Sequence, residues 1–136
     1  MLNRIDHIGI VVDDLFRSRK FLESLGMTLE QELELPERNV KVAFYRCGDG
    51  RIELTQPTTD EGRRTRLGAG NQARIEHLGV EVDSISVAME AIRGLGVELT
   101  ADQPVAASGN LNAWTRPHTS EGIQFQLVER DAAGTA

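Results

Sequence analysis

The sequence repeats itself, and this repeat constrains the fold more strongly than any other feature. Residues 5–13 align with residues 75–83, and in the same register residues 25–29 align with residues 95–99. Identical histidine, glycine, aspartate and leucine residues recur at equivalent positions, and several other positions stay apolar. Each half alone is too short to bury a stable hydrophobic core. We therefore expect the two halves to complete one another's core in a single domain spanning residues 1–136.

Each half has the pattern of one strand, one helix and then three strands. Residues 4–12 alternate around β-branched and apolar side chains, which predicts an opening strand. The predicted modules cover about residues 4–56 and 74–130, and residues 57–73 have the composition of a linker with a short turn of helix. The expected fold class is α+β, with tandem βαβββ modules forming a curved mixed sheet around a cavity.

Residues that favour helix ends mark the limits of both predicted helices. Asp13 and Asp83 are placed to cap the first turns. Gly26 and Gly96 stand where a left-handed glycine ends a helix. The side of each helix that we expect to pack is apolar, with Leu15, Leu22 and Leu25 in the first helix and Ile85, Ala88, Met89, Ile92 and Leu95 in the second.

The remaining strands are predicted from short apolar alternations, and their parity assigns each side chain to a face. In the last strand, Ile123, Phe125 and Leu127 should pack on the helices, so Gln126 points to the other face. In the matching strand of the first half, Ile52 and Leu54 should pack on the helices, so Glu53 points to the polar face. The predicted strands cover about residues 28–34, 40–47, 51–56, 97–100, 111–116 and 122–129.

Four polar side chains share the face that points away from the helices. His7 and His77 occupy equivalent positions of the repeat, and Glu53 and Gln126 occupy a second equivalent pair. If both half-sheets curve the same way, their polar faces enclose a cavity that receives all four side chains. Two imidazoles, a carboxylate and an amide oxygen suit a borderline divalent ion such as Zn, Ni, Co, Mn or Fe(II). The sequence therefore predicts a metal-centred cavity.

The composition of the chain argues against several classes of partner. A net charge of −6 over 136 residues disfavours general binding to nucleic acid or to an anionic membrane surface. No run approaches the length of a membrane span, and the N-terminal residues lack the order of a signal peptide. Cys47 is the only cysteine, which favours a reducing, cytoplasmic setting.

Four short motifs occur in an order and spacing typical of one superfamily. They are DHIGIVV at residues 6–12, GDGRIEL at 48–54, EHLGVEV at 76–82 and GIQFQLVE at 122–129. Together they resemble the vicinal oxygen chelate superfamily, which includes glyoxalase I, methylmalonyl-CoA epimerase, extradiol dioxygenases and fosfomycin-resistance proteins. The resemblance covers nearly the whole chain. It implies the paired βαβββ fold of the glyoxalase/bleomycin-resistance/dioxygenase type, a divalent metal ion as cofactor, and a homodimer.

Within that superfamily the chain most resembles methylmalonyl-CoA epimerases. Residues 36–40 read Pro-Glu-Arg-Asn-Val, similar to an epimerase Pro-Glu-Gln-Gly-Val segment whose glutamate is a catalytic base. The resemblance therefore implies a catalytic role for Glu37. The Ser108 and Gly109 loop, with Pro117 after it, is similar to a further epimerase stretch.

The order of the four ligands departs from the epimerase pattern. Epimerases carry His, Gln, His and Glu, whereas this chain has His7, Glu53, His77 and Gln126. Because glutamine cannot accept a proton, two bases, if required, would be Glu37 and Glu53. The glutamine also counts against extradiol dioxygenases and fosfomycin-resistance proteins, which use a glutamate there. Glu129 cannot replace it, since its parity directs it to the opposite face.

The resemblance implies a metal-dependent isomerase that moves a proton beside a carbonyl, with an acyl-CoA thioester as the small-molecule substrate. One alternative is a glyoxalase I-like lactoylglutathione lyase, because bacterial glyoxalases also carry a glutamate at the second ligand position. The other is a metal-free, antibiotic-sequestering protein of the same fold. A basic cluster is formed by Arg63, Arg64, Arg66 and Arg74, which could bind the phosphates of a CoA or nucleotide tail or be a solvated surface, the commoner case. Trp114 is expected to line the cavity or core, and His118 to be an exposed loop residue.

Overall fold

Strand, helix and three strands follow one another twice along the chain, as the repeat predicts. The computed structural model describes residues 1–107 and 109–131, so Ser108 of the predicted loop lies outside the described residues. The contacts divide the chain into two units, one formed by residues 7–76 and one by residues 1–6 with the described residues from 77 onward. The predicted α+β class with two βαβββ modules is confirmed.

In the first module, the opening strand pairs with the strand that ends the module. The elements are β1 (Arg4–Val12), α1 (Leu15–Ser24), β2 (Leu29–Leu35), β3 (Val40–Cys47) and β4 (Gly50–Pro57). The strands follow the order β2-β3-β4-β1, in which β1 and β4 are parallel and the other neighbours antiparallel. The core on the helix side is formed by Val12, Leu15, Ala43, Tyr45 and Leu54.

A helical segment joins the modules, in the region predicted to hold a short turn of helix. It consists of α2 (Asp60–Gly62) and a wider π-helical turn over Arg63–Leu67. The Thr59 hydroxyl accepts a hydrogen bond from the Gly62 N–H, and Leu67 is buried at the other end. Among the described residues, no helix combines the length and apolar character needed to cross a bilayer.

The second module repeats the strand pairing of the first. Its elements are β5 (Ala73–Glu81), α3 (Ile85–Gly94), β6 (Val105–Ala107), β7 (Asn110–Trp114) and β8 (Phe125–Glu129). The order is β5-β8-β7-β6, with β5 parallel to β8 and the other neighbours antiparallel. Its core holds Val80, Val82, Ile85, Ala88, Met89, Ile92, Ala113 and Leu127.

Both helix caps lie one residue later than predicted. Asp14 caps α1 by accepting a hydrogen bond from the Arg17 N–H, and Ser84 caps α3 by accepting from the Val87 N–H. Each stands directly before the first helical residue with an extended backbone, as an N-cap requires. The predicted caps have other partners: Asp13 pairs with Arg63, and Asp83 accepts a hydrogen bond from Asn3.

A second side chain binds the N-terminus of each long helix from the neighbouring strand. Gln56 Oε1 accepts a hydrogen bond from the Leu15 N–H at 2.7 Å, and Glu129 Oε1 accepts one from the Ile85 N–H at 2.8 Å. These residues occupy equivalent positions at the ends of β4 and β8. Glu129 therefore faces the helix side, as its parity predicts, and cannot replace Gln126 on the other face.

The predicted apolar sides of the helices are correct except at their last members. Leu25 and Leu95 are 63% and 76% exposed, whereas the four inner residues of the α3 set are buried. Both leucines are C-cap residues with non-helical backbone, so the helical periodicity no longer applies to them. Gly26 and Gly96 follow with φ of +89° and +86°, which confirms the predicted glycine stops.

The predicted strand over residues 97–100 is wrong, since only Leu99 makes a β-bridge, with Thr115. Val97 and Leu99 still pack on the core. The Thr100 N–H donates to the Trp114 carbonyl, and the Glu98 carbonyl accepts from the Arg116 N–H, so the segment pairs at one bridge without extending into a strand. The strand that pairs with β7 is β6 instead. Ile123 was also predicted to pack on the helices, but it is 46% exposed because β8 begins only at Phe125.

The turn that carries Glu37 contains a left-handed residue. Pro36–Arg38 forms a single 3-10 turn in which Glu37 is exposed, and Asn39 follows with φ 54° and ψ 44°. The Asn39 N–H donates to the Pro36 carbonyl, and its own carbonyl accepts from the Thr58 N–H. Asparagine tolerates the left-handed region better than most residues other than glycine, which suits it to this position.

We expect the conformation at Asn39 to tolerate glycine but not a β-branched residue. Asn39→Gly should change the free energy of unfolding by less than about 1 kcal/mol. Asn39→Val should lower it by about 1–2 kcal/mol, because a β-branched side chain clashes with the backbone in the left-handed region. Urea denaturation of both variants measures this difference, and equal stabilities would contradict the assigned turn.

Candidate metal centre

His7 and Glu53 lie on adjacent parallel strands of the first module. The register places Gly9 of β1 opposite Glu53 of β4, so His7, two residues earlier, points to the same face as Glu53. His7 Nε2 is 3.8 Å from Glu53 Oε1. The His7 side chain is 3% exposed and that of Glu53 is 16% exposed. The pair is therefore buried while leaving the carboxylate some access.

An aromatic and a cationic side chain form the wall beside this pair. Phe44 lies opposite Glu53 on β3, and its ring meets the His7 ring edge-on with centroids 6.5 Å apart. The Arg51 guanidinium lies 4.4 Å from the centre of the Phe44 ring and 3.5 Å from a Glu30 carboxylate oxygen. The guanidinium adds positive charge on the same strand face as Glu53, since Arg51 and Glu53 are two residues apart in β4.

His77 and Gln126 have the same relation in the second module. Gly79 of β5 lies opposite Gln126 of β8, so His77 and Gln126 also share a face. His77 is 7% exposed, and Gln126 is half-buried. Gln126 Nε2 donates a hydrogen bond to Asn112 Oδ1 at 3.0 Å. This second module thus offers one imidazole and one carboxamide.

The donor atoms of the first module suit a divalent ion. Two atoms bound to one ion at about 2.1 Å can be at most about 4.2 Å apart. The 3.8 Å between His7 Nε2 and Glu53 Oε1 satisfies this limit. Imidazole nitrogens with a carboxylate are a common ligand set for first-row divalent metals.

A buried acid precedes each histidine, a feature that the analysis of strand faces missed. Asp6 is 1% exposed and pairs with Arg130. The Glu76 side chain is 4% exposed and accepts two hydrogen bonds from Arg66, at 2.8 and 2.7 Å. The repeat itself aligns Asp6 with Glu76, and this recurrence was the signal that could have revealed the two pairs.

Arg66 connects one of these pairs to the candidate metal ligands. Its pKa is raised, chiefly by the hydrogen bonds to Glu76, and the negative charge of Glu53 contributes as well. The guanidinium therefore stays charged and attracts the Glu53 carboxylate as well as binding Glu76.

The predicted basic cluster is largely neutralised by carboxylates. Arg63 pairs with Asp13, while Arg66 and Arg74 both contact Glu76. Arg64 and Arg74 are exposed, and Arg63 and Arg66 are half-buried. The cluster is therefore not an open patch of four cations.

The two other singled-out residues lie on β7 and in the following turn. Trp114 is half-buried and lies opposite Gln126 in the β7–β8 register, next to the candidate ligand. His118 has a side chain that is 72% exposed and lies 3.3 Å from a Glu98 carboxylate oxygen, in keeping with the predicted exposed position. His118 is the third histidine of the chain.

Proteins similar to this chain include methylmalonyl-CoA epimerases and uncharacterized bacterial proteins. The Bacillus subtilis uncharacterized protein YqjC is 28% identical over 130 residues, which cover 94% of this chain and 93% of that protein. The mouse mitochondrial methylmalonyl-CoA epimerase is 27% identical over 131 residues, which cover 94% of this chain and 74% of the epimerase.

Solved structures show the same relationship. A hypothetical protein from Bacillus halodurans C-125 superposes with a TM-score of 0.81 at 28% identity, covering 93% of this chain and 94% of the other. A Streptomyces coelicolor methylmalonyl-CoA epimerase variant in complex with 2-nitronate-propionyl-CoA superposes with a TM-score of 0.84 at 25% identity. The match covers 97% of this chain and 100% of the other.

The family itself is identified by a sequence model that matches most of the chain. The model of the glyoxalase/bleomycin resistance protein/dioxygenase superfamily matches residues 6–113. This range contains the His7 and Glu53 pair together with His77, and only Gln126 of the four candidate ligands lies beyond it. The chain belongs to the glyoxalase/bleomycin resistance protein/dioxygenase superfamily.

Proposed function

We propose that this protein is a metal-dependent enzyme that moves a proton beside a carbonyl, as a methylmalonyl-CoA epimerase does. The four proposed ligands are His7, Glu53, His77 and Gln126. The observation that carries the proposal is the buried His7 imidazole, whose Nε2 lies 3.8 Å from a Glu53 carboxylate oxygen. A divalent ion held there would supply Lewis-acid stabilisation of the negative charge that develops on the substrate carbonyl oxygen.

The substrate class is proposed from the relatives. Several similar proteins are methylmalonyl-CoA epimerases, and one solved neighbour is in complex with methylmalonyl-CoA. The identities of about a quarter support a shared reaction type better than an identical substrate. We therefore propose an acyl-CoA thioester with an acidic proton next to its carbonyl. The superfamily resemblance further suggests a homodimer.

The proton transfer requires carboxylates, and this chain offers two candidates. Glu53 shares a strand face with His7 and has partial access, so one of its oxygens can take a proton from a substrate seated there. Glu37 is exposed on a turn anchored by Asn39. Gln126 holds no titratable proton and can only bind or orient. We propose that Glu37 and Glu53 serve the two faces of the substrate carbon.

The two alternatives make different demands on the same residues. A glyoxalase I-like lyase would use Glu53 in a similar way but act on a thiohemiacetal of glutathione. A metal-free ligand-binding protein would not need a buried imidazole beside a carboxylate at equivalent strand positions of the repeat. The His7 and Glu53 pair therefore favours an enzyme over a binder, and the relatives favour an epimerase over a lyase.

We expect the protein to bind one divalent ion and to lose it when either buried histidine is removed. Titration with Mn²⁺ or Co²⁺ should give a Kd that weakens at least about 100-fold in His7→Ala and in His77→Ala, because each removes a direct ligand. His118→Ala is the matched control, since this histidine is exposed, and should bind within about twofold of the unaltered chain. Equal affinities in all the variants, or no binding by any, would exclude the proposed ligand set and favour the metal-free binder.

We expect Glu37→Gln to slow exchange of the α-proton of methylmalonyl-CoA with D₂O by about 100-fold or more, because a general base typically contributes this much. Metal affinity should be unchanged, which separates a lost base from a lost ligand. Glu34→Gln, an exposed acid on β2, is the control and should exchange normally. Full exchange in Glu37→Gln would remove Glu37 from the mechanism. Formation of lactoylglutathione without any α-proton exchange would replace the epimerase with the lyase.

A further inference from the structure

Asn112 is a buried amide in contact with the candidate ligand Gln126. It lies on β7 and is 4% exposed. Its Oδ1 accepts the 3.0 Å hydrogen bond from Gln126 Nε2. Its Nδ2 donates to the backbone carbonyl of Val105 at 3.2 Å. Asn112 thus links the edge strand β6 to the candidate metal centre.

The Val105 carbonyl determines which way both amides point. A carbonyl oxygen can only accept, so it must face the NH₂ group of Asn112, and Oδ1 of Asn112 must then face Gln126. Gln126 in turn has to present its own NH₂ group to Asn112. Its Oε1, the atom able to bind a cation, is therefore directed to the other side of the amide. The two hydrogen bonds make this assignment without relying on the positions of the hydrogens.

We propose that Asn112 is a positioning residue that selects a neutral amide, rather than a carboxylate, at position 126. A glutamate there would bring a carboxylate oxygen against Asn112 Oδ1. Two acceptors without a proton between them repel each other, and the repulsion is strong in a buried site. Asn112 therefore accounts for the exchange of acid and amide that sets this chain apart from the epimerase ligand order.

The selection has a consequence for the chemistry, which rests on the proposed function. With glutamine at position 126, the four proposed ligands carry one negative charge, on Glu53. A glutamate at position 126 would raise this to two. A larger share of a divalent ion's charge is then left to act on a substrate carbonyl. The base at the fourth ligand position is lost in exchange, so the substrates should be those whose proton Glu37 and Glu53 can move.

A double-mutant cycle in the absence of metal tests whether Asn112 favours glutamine over glutamate at position 126. The proteins are the unaltered chain, Q126E, N112T and N112T/Q126E, with Q124E as a control that adds the same charge nearby. The threonine hydroxyl can donate or accept, so it accommodates either side chain at position 126. In EDTA at neutral pH, Q126E should lower Tm by about 3–6 °C, the double variant should recover at least half of this loss, and Q124E should shift Tm by about 1 °C or less. A Q126E protein as stable as Q124E overturns the proposal.

Metal binding by the same proteins tests the consequence for the site. Q126E should bind Mn²⁺ no more tightly than the unaltered chain, despite its additional carboxylate. N112T/Q126E should bind at least about tenfold more tightly than Q126E, because the carboxylate is then accommodated. The proposed selection is overturned if Q126E, with Asn112 in place, binds Mn²⁺ more tightly than the unaltered chain does. Absence of Mn²⁺ binding by the unaltered chain overturns the proposed function instead, and the unfolding cycle then decides the role of Asn112 alone.

Discussion

The parallel pairing of the first and last strands in each module is the constraint on which the candidate metal centre depends. Parallel neighbours cannot be joined by a tight turn, so a helix and two further strands lie between them in the chain. The pairing sets Gly9 opposite Glu53 and Gly79 opposite Gln126. In each case the histidine two residues before the glycine points to the same face as the opposite side chain. Backbone register, rather than a loop, thus positions the candidate ligands.

The same two closing strands also hold the helices in place, and they do so with their other face. Gln56 and Glu129 stand three residues after Glu53 and Gln126, which gives them the opposite parity, and each binds the first N–H of a long helix. Each closing strand therefore carries one acid and one amide with the duties exchanged. The acid of the second module lies at a helix N-terminus, where its negative charge is stabilised by the helix dipole. The acid of the first module lies beside His7.

Features that follow from the periodicity of the sequence were predicted correctly. Predictions failed where neighbouring residues were equally suited to the same structural position. Strand parity correctly separated Leu54 and Leu127 from the polar face because the strand period is two. The helix caps were misplaced by one residue because two consecutive residues at each start, such as Asp13 and Asp14, are good caps. The role of Asn112 could not be predicted, since it depends on a diagonal contact across a strand pair whose register no local pattern specifies.

The exchanged duties of acid and amide mean that the two modules, although similar in fold, are not interchangeable. A protein assembled from two copies of the first would carry two carboxylates on the polar strand faces and leave both helix starts with uncharged partners. One assembled from two copies of the second would carry no carboxylate at either of these strand positions. The exchange of glutamate and glutamine at these four positions therefore gives each copy of the repeat a part that the other cannot take over.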